Sequence, residues 1–354
     1  MPDPYRFTAL NTKIRALKKS VLQESDYVNM MKLDSTQEIA HYLNDSTIYR
    51  SILNDYNIKD LHRRDLEYLV HNFSISRWNG LVHFLAFEYR ELFKALLFYY
   101  EVCNVNIILR GIGRNRPRED TRRKINRVHA YLDVDYDKLL SLNSIDEFIN
   151  QFKNTVIEEP LYNVTLDDVR TKEFHIEMNL DYVYFSNLFQ TIEKIPKEDR
   201  KCAQKIIGIF VDLNNFQWIY RGKVHFSLTD EEVLNYTLRG GLKFSFHKMK
   251  DIIYSNNFKE EFFKTLEDKY PGMFKSNYML NPRKMQQYYM GVLQKESQKN
   301  PQGIAPLFEF FRIMEYEYDN IITMIESTKY KPKNPWDYII PTFGRVREEV
   351  INGN

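Results

Sequence analysis

Apolar residues recur along most of this chain at the spacing of one helix face, and they thicken into a few long, nearly unbroken patterns. Residues 8–30 read as one helix, with Leu10, Ile14, Leu17 and Val21 on its apolar side and Lys13, Arg15, Lys18 and Lys19 in water. Short helices follow to about Asn79, with breaks at Asn44–Asp45 and Asn79–Gly80. A dense pattern of Phe, Leu and Tyr then runs from Leu81 to Leu109, interrupted by Glu88, Arg90, Glu91 and Lys94. A helix this apolar on most sides must be buried against neighbours. Met178–Ile195 and Cys202–Tyr220 form a second long pair, parted by Pro196, a residue favoured where a helix begins. Lys284–Gln298 and Pro306–Lys329 form a third, after a break at Pro282. Short helices fill Tyr131 to about Leu161. Thr229, with Glu232 three residues on, opens a further helix expected to stop at Gly240–Gly241. Pro332, Pro335 and Pro341 predict an irregular tail.

The long apolar patterns carry a polar signature. Asp212 and Asn215 stand three residues apart inside the buried run Phe210–Arg221. The spacing returns at Glu101 and Asn104, and again at Glu317 and Asn320. Asn104 and Asn215 are 111 residues apart, Asn215 and Asn320 105. Leu33, Ser35, Glu38, Ile39 and Leu43 also match Leu142, Ser144, Glu147, Phe148 and Phe152 at a constant offset of 109, each Ser–Glu pair reading as a capping box. These periods predict three copies of one helical unit, at residues 1–112, 113–222 and 223–354, the last with the irregular tail. Arg110 and Arg221 each lie six residues after the amide, whereas Glu326 takes that place in the third copy. Nine residues from the acid is half a turn out of phase, so these arginines mark helix ends, where a cation suits the dipole.

Residues three apart share a helix face, so each acid and amide point the same way. Asn is a poor interior helix residue because its amide competes for backbone groups, so each amide implies a partner. Two readings fit: an internal bracket that hydrogen-bonds an adjoining unit, or the polar lining of a central hole where three units meet.

Composition narrows the class. Twelve Gly and 12 Pro among 354 residues are sparse, which favours long helices over many short strands, and the fold class is all-α. Net charge is only +2, so no global field commits the chain to nucleic acid or membrane. Cys103 and Cys202 fit no ligand spacing, which suits a reducing compartment. The opening residues, with Asp3 and Arg6, carry no signal-peptide pattern, and apolar runs such as Ala95 to Tyr100 fall short of a membrane span.

Catalytic patterns fail one by one. Arg116 stands where the third glycine of a dinucleotide loop after Gly111 and Gly113 belongs. Asp133, Asp135 and Asp137 begin like a calcium loop, but Lys138 and Ser144 occupy its Gly and Glu positions. His175 and Glu177 lack the paired cysteines of a zinc deaminase. No phosphate-binding Gly-Lys-Ser/Thr loop occurs. The segment Arg110–Arg127 holds eight cations against Glu119 and Asp120 and could take phosphates, yet no aromatic interleaves it to stack bases. A solvated helix start or an acidic protein partner fits it better.

The acid-x-x-Asn helix ending in Arg, the start Leu228-Thr229-Asp230-Glu231-Glu232-Val233, Gly240-Gly241, and the opening Tyr5 with Asn11, Ile14, Arg15, Ala16 and Leu17 resemble the central-stalk C/d family of V-type and archaeal-type rotary ATPases. That family's members are named C in prokaryotes and d in eukaryotes, and the resemblance covers Tyr5 to about Trp336. It implies three similar helical units around a pseudo-threefold axis, forming a funnel on the cytoplasmic face of the membrane rotor ring that receives the tip of the central shaft. It implies a non-catalytic rotor adapter that couples ATP hydrolysis or synthesis to proton or sodium ion transport, with no cofactor, no metal, no transmembrane segment of its own and no nucleic-acid partner. Glu326 and the richness in Tyr depart from the family pattern. On this reading Arg90, Arg110 and Arg221 contact partners. The alternative is an RNA-binding or scaffolding helical protein using residues 110–127.

Overall fold

The computed structural model describes residues 6–272, 274–275 and 279–343; Asp3 and Tyr5 of the sequence reading lie outside them. Packing divides the chain into two compact units, one made of residues 1–61 with 196–354 and one of residues 62–195. The discontinuous unit begins with α1 (Thr8–Lys18), α2 (Glu24–Met30), α3 (Thr36–Ser46) and α4 (Arg50–Leu53). The middle unit holds α5 (Arg63–Asn79), α6 (Phe87–Gly113), α7 (Arg118–Arg122), α8 (Tyr136–Ser141), α9 (Ile145–Asn150), α10 (Glu158–Leu161), α11 (Leu166–Thr171) and α12 (Glu173–Ile192). The discontinuous unit resumes with α13 (Lys197–Val224), α14 (Asp230–Asn235), α15 (Phe246–Ile253), α16 (Phe258–Lys269), α17 (Pro282–Lys299) and α18 (Ala305–Tyr330). Among the described residues the fold is all-helical apart from one antiparallel pair of two-residue strands, β1 (Phe274–Lys275) with β2 (Met279–Leu280).

The long helices are closed by the chemistry at their ends. Pro196 caps α13, Glu198 and Asp199 occupy its first turn, and Arg221 and Lys223 its last, so both charge clusters complement the helix dipole. Arg110 holds the same place in the last turn of α6. Positions 112 and 222, where the sequence repeat divides the chain, lie in these last turns. In the middle unit α6 packs most extensively on α12; in the other, α17 packs on α18. Aromatic rings fill both cores: Phe98 meets Tyr131 and Tyr184, and Phe216 meets Phe244 and Phe262 at 4.7 and 5.2 Å between centroids. Each such side chain fully buried contributes about 1.5–3 kcal/mol.

Several sequence expectations are corrected. Residues 8–30 are two helices, because the Leu22 N–H leaves the helix for the Glu317 carboxylate and the Gln23 N–H is taken by Asp26. The Leu81 pattern opens as a 3-10 turn at Val82–Phe84, and α6 begins only at Phe87. Ser35 caps α3 through the Glu38 N–H, but Glu38 itself turns to Asp34, and Ser144 makes no side-chain cap. Thr229 and Glu232 do form a capping box, yet that helix stops at Asn235 rather than at Gly240–Gly241. It stops because Asn215 claims the Leu238 peptide.

The expectation that no apolar run approaches a membrane span also needs correction. Glu88–Gly113 is long and apolar enough to cross one by length and hydropathy, but 72% of its most apolar window is packed inside the protein. That helix also carries Glu101 and Asn104. Its apolarity is that of a core helix.

Candidate functional site

The three acid–amide pairs make one arrangement three times. In each, the amide grips both polar groups of a single distant residue, as a neighbouring strand would. Asn104 accepts from the Asn126 N–H at 2.7 Å and donates to its carbonyl at 2.8 Å. Asn215 does the same to Leu238 at 2.7 and 2.9 Å, and Asn320 to Ile340 at 2.8 and 2.7 Å. The gripped residues follow their amides by 22, 23 and 20 positions. This geometry needs Asn: it alone offers a donor and an acceptor at that reach, and it leaves no buried peptide group unpaired.

The acids finish the clamp. Glu101 accepts from the N–H groups of Ala130, Tyr131 and Leu132 at 2.8 to 3.2 Å. Asp212 accepts from the Lys243 N–H and the Tyr270 hydroxyl, both at 2.7 Å. Glu317 accepts from the Leu22 N–H at 2.7 Å and the Tyr49 hydroxyl at 2.9 Å. Tyr270 lies 27 residues after Lys243, and Tyr49 lies 27 after Leu22. All six clamp side chains are at most 1% exposed. Burial pushes the Glu101 carboxyl above its usual range against the pull of its three backbone donors, and pushes Asp212 up against Tyr270 and the Lys243 N–H. Burial, and then the facing Asp212 charge, pushes the Tyr270 hydroxyl up in turn.

Gly240 and Gly241, expected as a helix stop, have a different task. Gly240 sits at φ 97°, and a Cβ at Gly241 would collide with the Asp212 carboxylate. The loop reaches the acid because these side chains are missing.

Arg90 and Arg110, two of the predicted contact arginines, are not brought together. Arg90 and Arg110 sit on one helix 20 residues apart, which is about 30 Å. Arg90 is exposed and donates to the Leu85 carbonyl at 3.4 Å. Arg110 bridges Glu173 at 2.6 Å and Glu177 at 2.7 Å, and the Arg221 guanidinium lies 5.7 Å from the Phe226 ring centre. Part of the basic segment is engaged by the protein itself in the same way. Arg114 pairs with Glu173, Arg122 with Asp137 and Arg123 with Asp65, while Arg118 donates to the Ser141 carbonyl and Asn143. Four of the eight cations, Arg110, Arg114, Arg122 and Arg123, are thus matched by the protein's own carboxylates, while Arg116, Arg118, Lys124 and Arg127 are exposed. Among the described residues no group of three or more His, Cys, Asp or Glu is placed to hold a metal ion.

Sequence reading missed one feature, a long open groove of about 940 Å³ in the middle unit. Asn179, Tyr182, Val183, Ser186, Asn187 and Gln190 of α12 form its floor, at helical spacing. Neutral polar residues at that spacing inside an apolar helix were the available signal.

The three clamps brace long buried helices, which is a structural role. A family model described as ATP synthase (C/AC39) subunit matches residues 10–335, and the chain belongs to that family. The C subunit of the A-type ATP synthase of Methanosarcina acetivorans is 23% identical over 314 residues, 88% of this chain and 85% of that protein. Its counterpart in Methanosarcina barkeri is 23% identical over 315 residues, again 88% and 85%. That of Methanosphaera stadtmanae is 21% identical over 336 residues, 92% and 84%.

Proposed function

We propose that this protein is the non-catalytic adapter of an A-type or V-type rotary ATPase, seating the central shaft on the membrane rotor ring. Coupling of ATP hydrolysis or synthesis to proton or sodium movement then passes through it as torque. The family match across residues 10–335 carries the reading. The clamps support it: three copies of one polar device suit three equivalent units, 1–112, 113–222 and 223–354, around a pseudo-threefold axis, with a funnel as their closed form. The protein works at the cytoplasmic face as a peripheral member of the complex. Glu101, Asn104, Asp212, Asn215, Glu317 and Asn320 act as brackets of the fold. Arg90 and the helix-end cations Arg110 and Arg221 reach the shaft or ring at the rim.

The test is isolation of the native complex through a tag on this chain, with its subunits identified. The adapter reading expects shaft and ring subunits together with it, and no ATP turnover by the chain alone. Turnover that survives in the pure chain and vanishes on mutating one of its residues would overturn it, as would a tagged chain that brings down no ATPase subunit.

A further inference from the structure

The groove along α12 has a shape, a charge and a chemistry that select one kind of occupant. The groove runs from Asn179 on α12 to Lys194 just past its end, a length of about 22 Å. That length is about four turns of helix, and a volume of about 940 Å³ along it makes an open trough rather than a pit. An extended strand would find no sheet edge there, because the floor is a helix whose own backbone is already paired.

The walls are acidic. Glu88 and Glu91 stand on one side, at the start of α6, and Glu159 on the other, beside Pro160 and the exposed Val156. Lys194 at the far end is the cation among the lining residues, and Glu91 also meets the neighbouring Lys94 at 3.0 Å in an exposed pair worth about 0–1 kcal/mol. Negative walls disfavour an anionic lipid surface or a nucleic acid and draw in a cationic partner. The floor is neither dry nor charged: Asn179, Ser186, Asn187 and Gln190 offer amides and a hydroxyl, with Tyr182, 54% exposed, as a large amphipathic anchor of the kind enriched at protein interfaces.

We infer that this groove docks one partner helix, amphipathic, with a small and polar centre and a lysine- or arginine-bearing edge on each side. The inference rests on the adapter reading for the partner's source, a helix of the central shaft, and goes beyond it in naming the surface and the helix chemistry. Acidic walls speed and orient the encounter, while the polar floor fixes the register, so wall and floor variants act on different rates.

The experiment measures binding of the full-length chain to its cognate central-shaft subunits by surface plasmon resonance at two salt concentrations. Glu88→Lys, Glu91→Lys and Glu159→Lys combined should slow association at least tenfold and reduce its salt dependence. Gln190→Arg, at an exposed position of α12, should speed dissociation at least tenfold. Both variants should keep the wild-type melting temperature, and Gln190→Arg carries the test if the triple variant fails to fold. Folded variants that bind the shaft with wild-type rates would overturn the groove while leaving the adapter reading intact. A wild-type chain that binds no shaft subunit would overturn both.

Discussion

The clamps on α13 and α18 are built alike but wired differently. On α13 everything gripped lies ahead in the chain: Leu238, Lys243 and Tyr270 all follow Asp212 and Asn215 within 58 residues. On α18 the amide still grips ahead, at Ile340, but the acid reaches back 295 residues to Leu22 and 268 to Tyr49. The shared interval of 27 residues between backbone donor and tyrosine makes Leu22–Tyr49 the counterpart of Lys243–Tyr270. The N-terminal helices thus supply to Glu317 of α18 the same pair of donors, a backbone N–H and a tyrosine hydroxyl, that residues 243–270 supply to Asp212 of α13. One device does local work in the first case and closes the chain upon itself in the second. Asn11 and Lys18, which hold Gly303 and Glu309 from the same N-terminal stretch, add to that closure.

Removing residues 1–53 breaks the comparison most severely. The deletion strips Leu10, Ile14, Leu22, Tyr27, Met30, Ile39, Leu43 and Tyr49, all buried, at about 1.5–3 kcal/mol each. That sum, about 12–24 kcal/mol, matches or exceeds the about 5–15 kcal/mol by which a domain is stable, so the discontinuous unit should lose its cooperative unfolding transition in calorimetry. A deletion variant that keeps this transition would show the N-terminal closure to be dispensable.

A finer comparison pairs Tyr49→Phe with Tyr270→Phe. Each removes one hydroxyl that donates to a buried carboxylate, and each should cost about 1.5–3 kcal/mol in urea unfolding. Equal losses identify the two acids as equivalent posts despite their different wiring. A full loss at Tyr270 with none at Tyr49 would mean that Glu317 is satisfied without the Tyr49 hydroxyl.

The pH dependence is the smallest effect. Burial holds the Glu101 carboxyl above its ordinary range, so the folded state binds this proton more readily than the unfolded chain. Its stabilising contribution is complete below the unfolded value of about 4.3 and is lost as pH rises through the raised folded value. The stability of the wild type relative to Glu101→Gln should therefore decline as pH rises above about 4.3, by at most about 1.4 kcal/mol per pH unit. A difference that grows with pH would place the backbone donors of residues 130–132 above desolvation as the dominant influence.

Much of this was legible in the sequence, and the reasons for the rest are physical. Helix class followed from periodicity and from the poverty of turn residues, and the ends of α13, α17 and α18 fell within a few residues of the apolar patterns. Boundaries failed where a distant side chain competes for a backbone group. The break before Leu22 and the early stop of α14 both answer to clamp residues that no local window contains. The acid-x-x-Asn spacing was visible, but its targets lie 20 to 295 residues away and follow from packing alone. Arg110–Arg127 looked like a phosphate patch because its carboxylate partners, Asp65, Asp137 and Glu173, are remote in sequence. The groove on α12 escaped notice because neutral polar residues give no charge or hydropathy signal strong enough to stand out.

The most direct test of the clamp account is the unfolding free energy of Asn215→Leu, read beside its binding to the central-shaft subunits. Leucine keeps the branching of the side chain but is bulkier and leaves the Leu238 N–H and carbonyl buried without partners, at about 1–3 kcal/mol each, so stability should fall by about 2–6 kcal/mol. Shaft binding should then weaken only under conditions where the variant is partly unfolded. Unchanged stability with lost shaft binding would contradict the account and make Asn215 part of the seat itself.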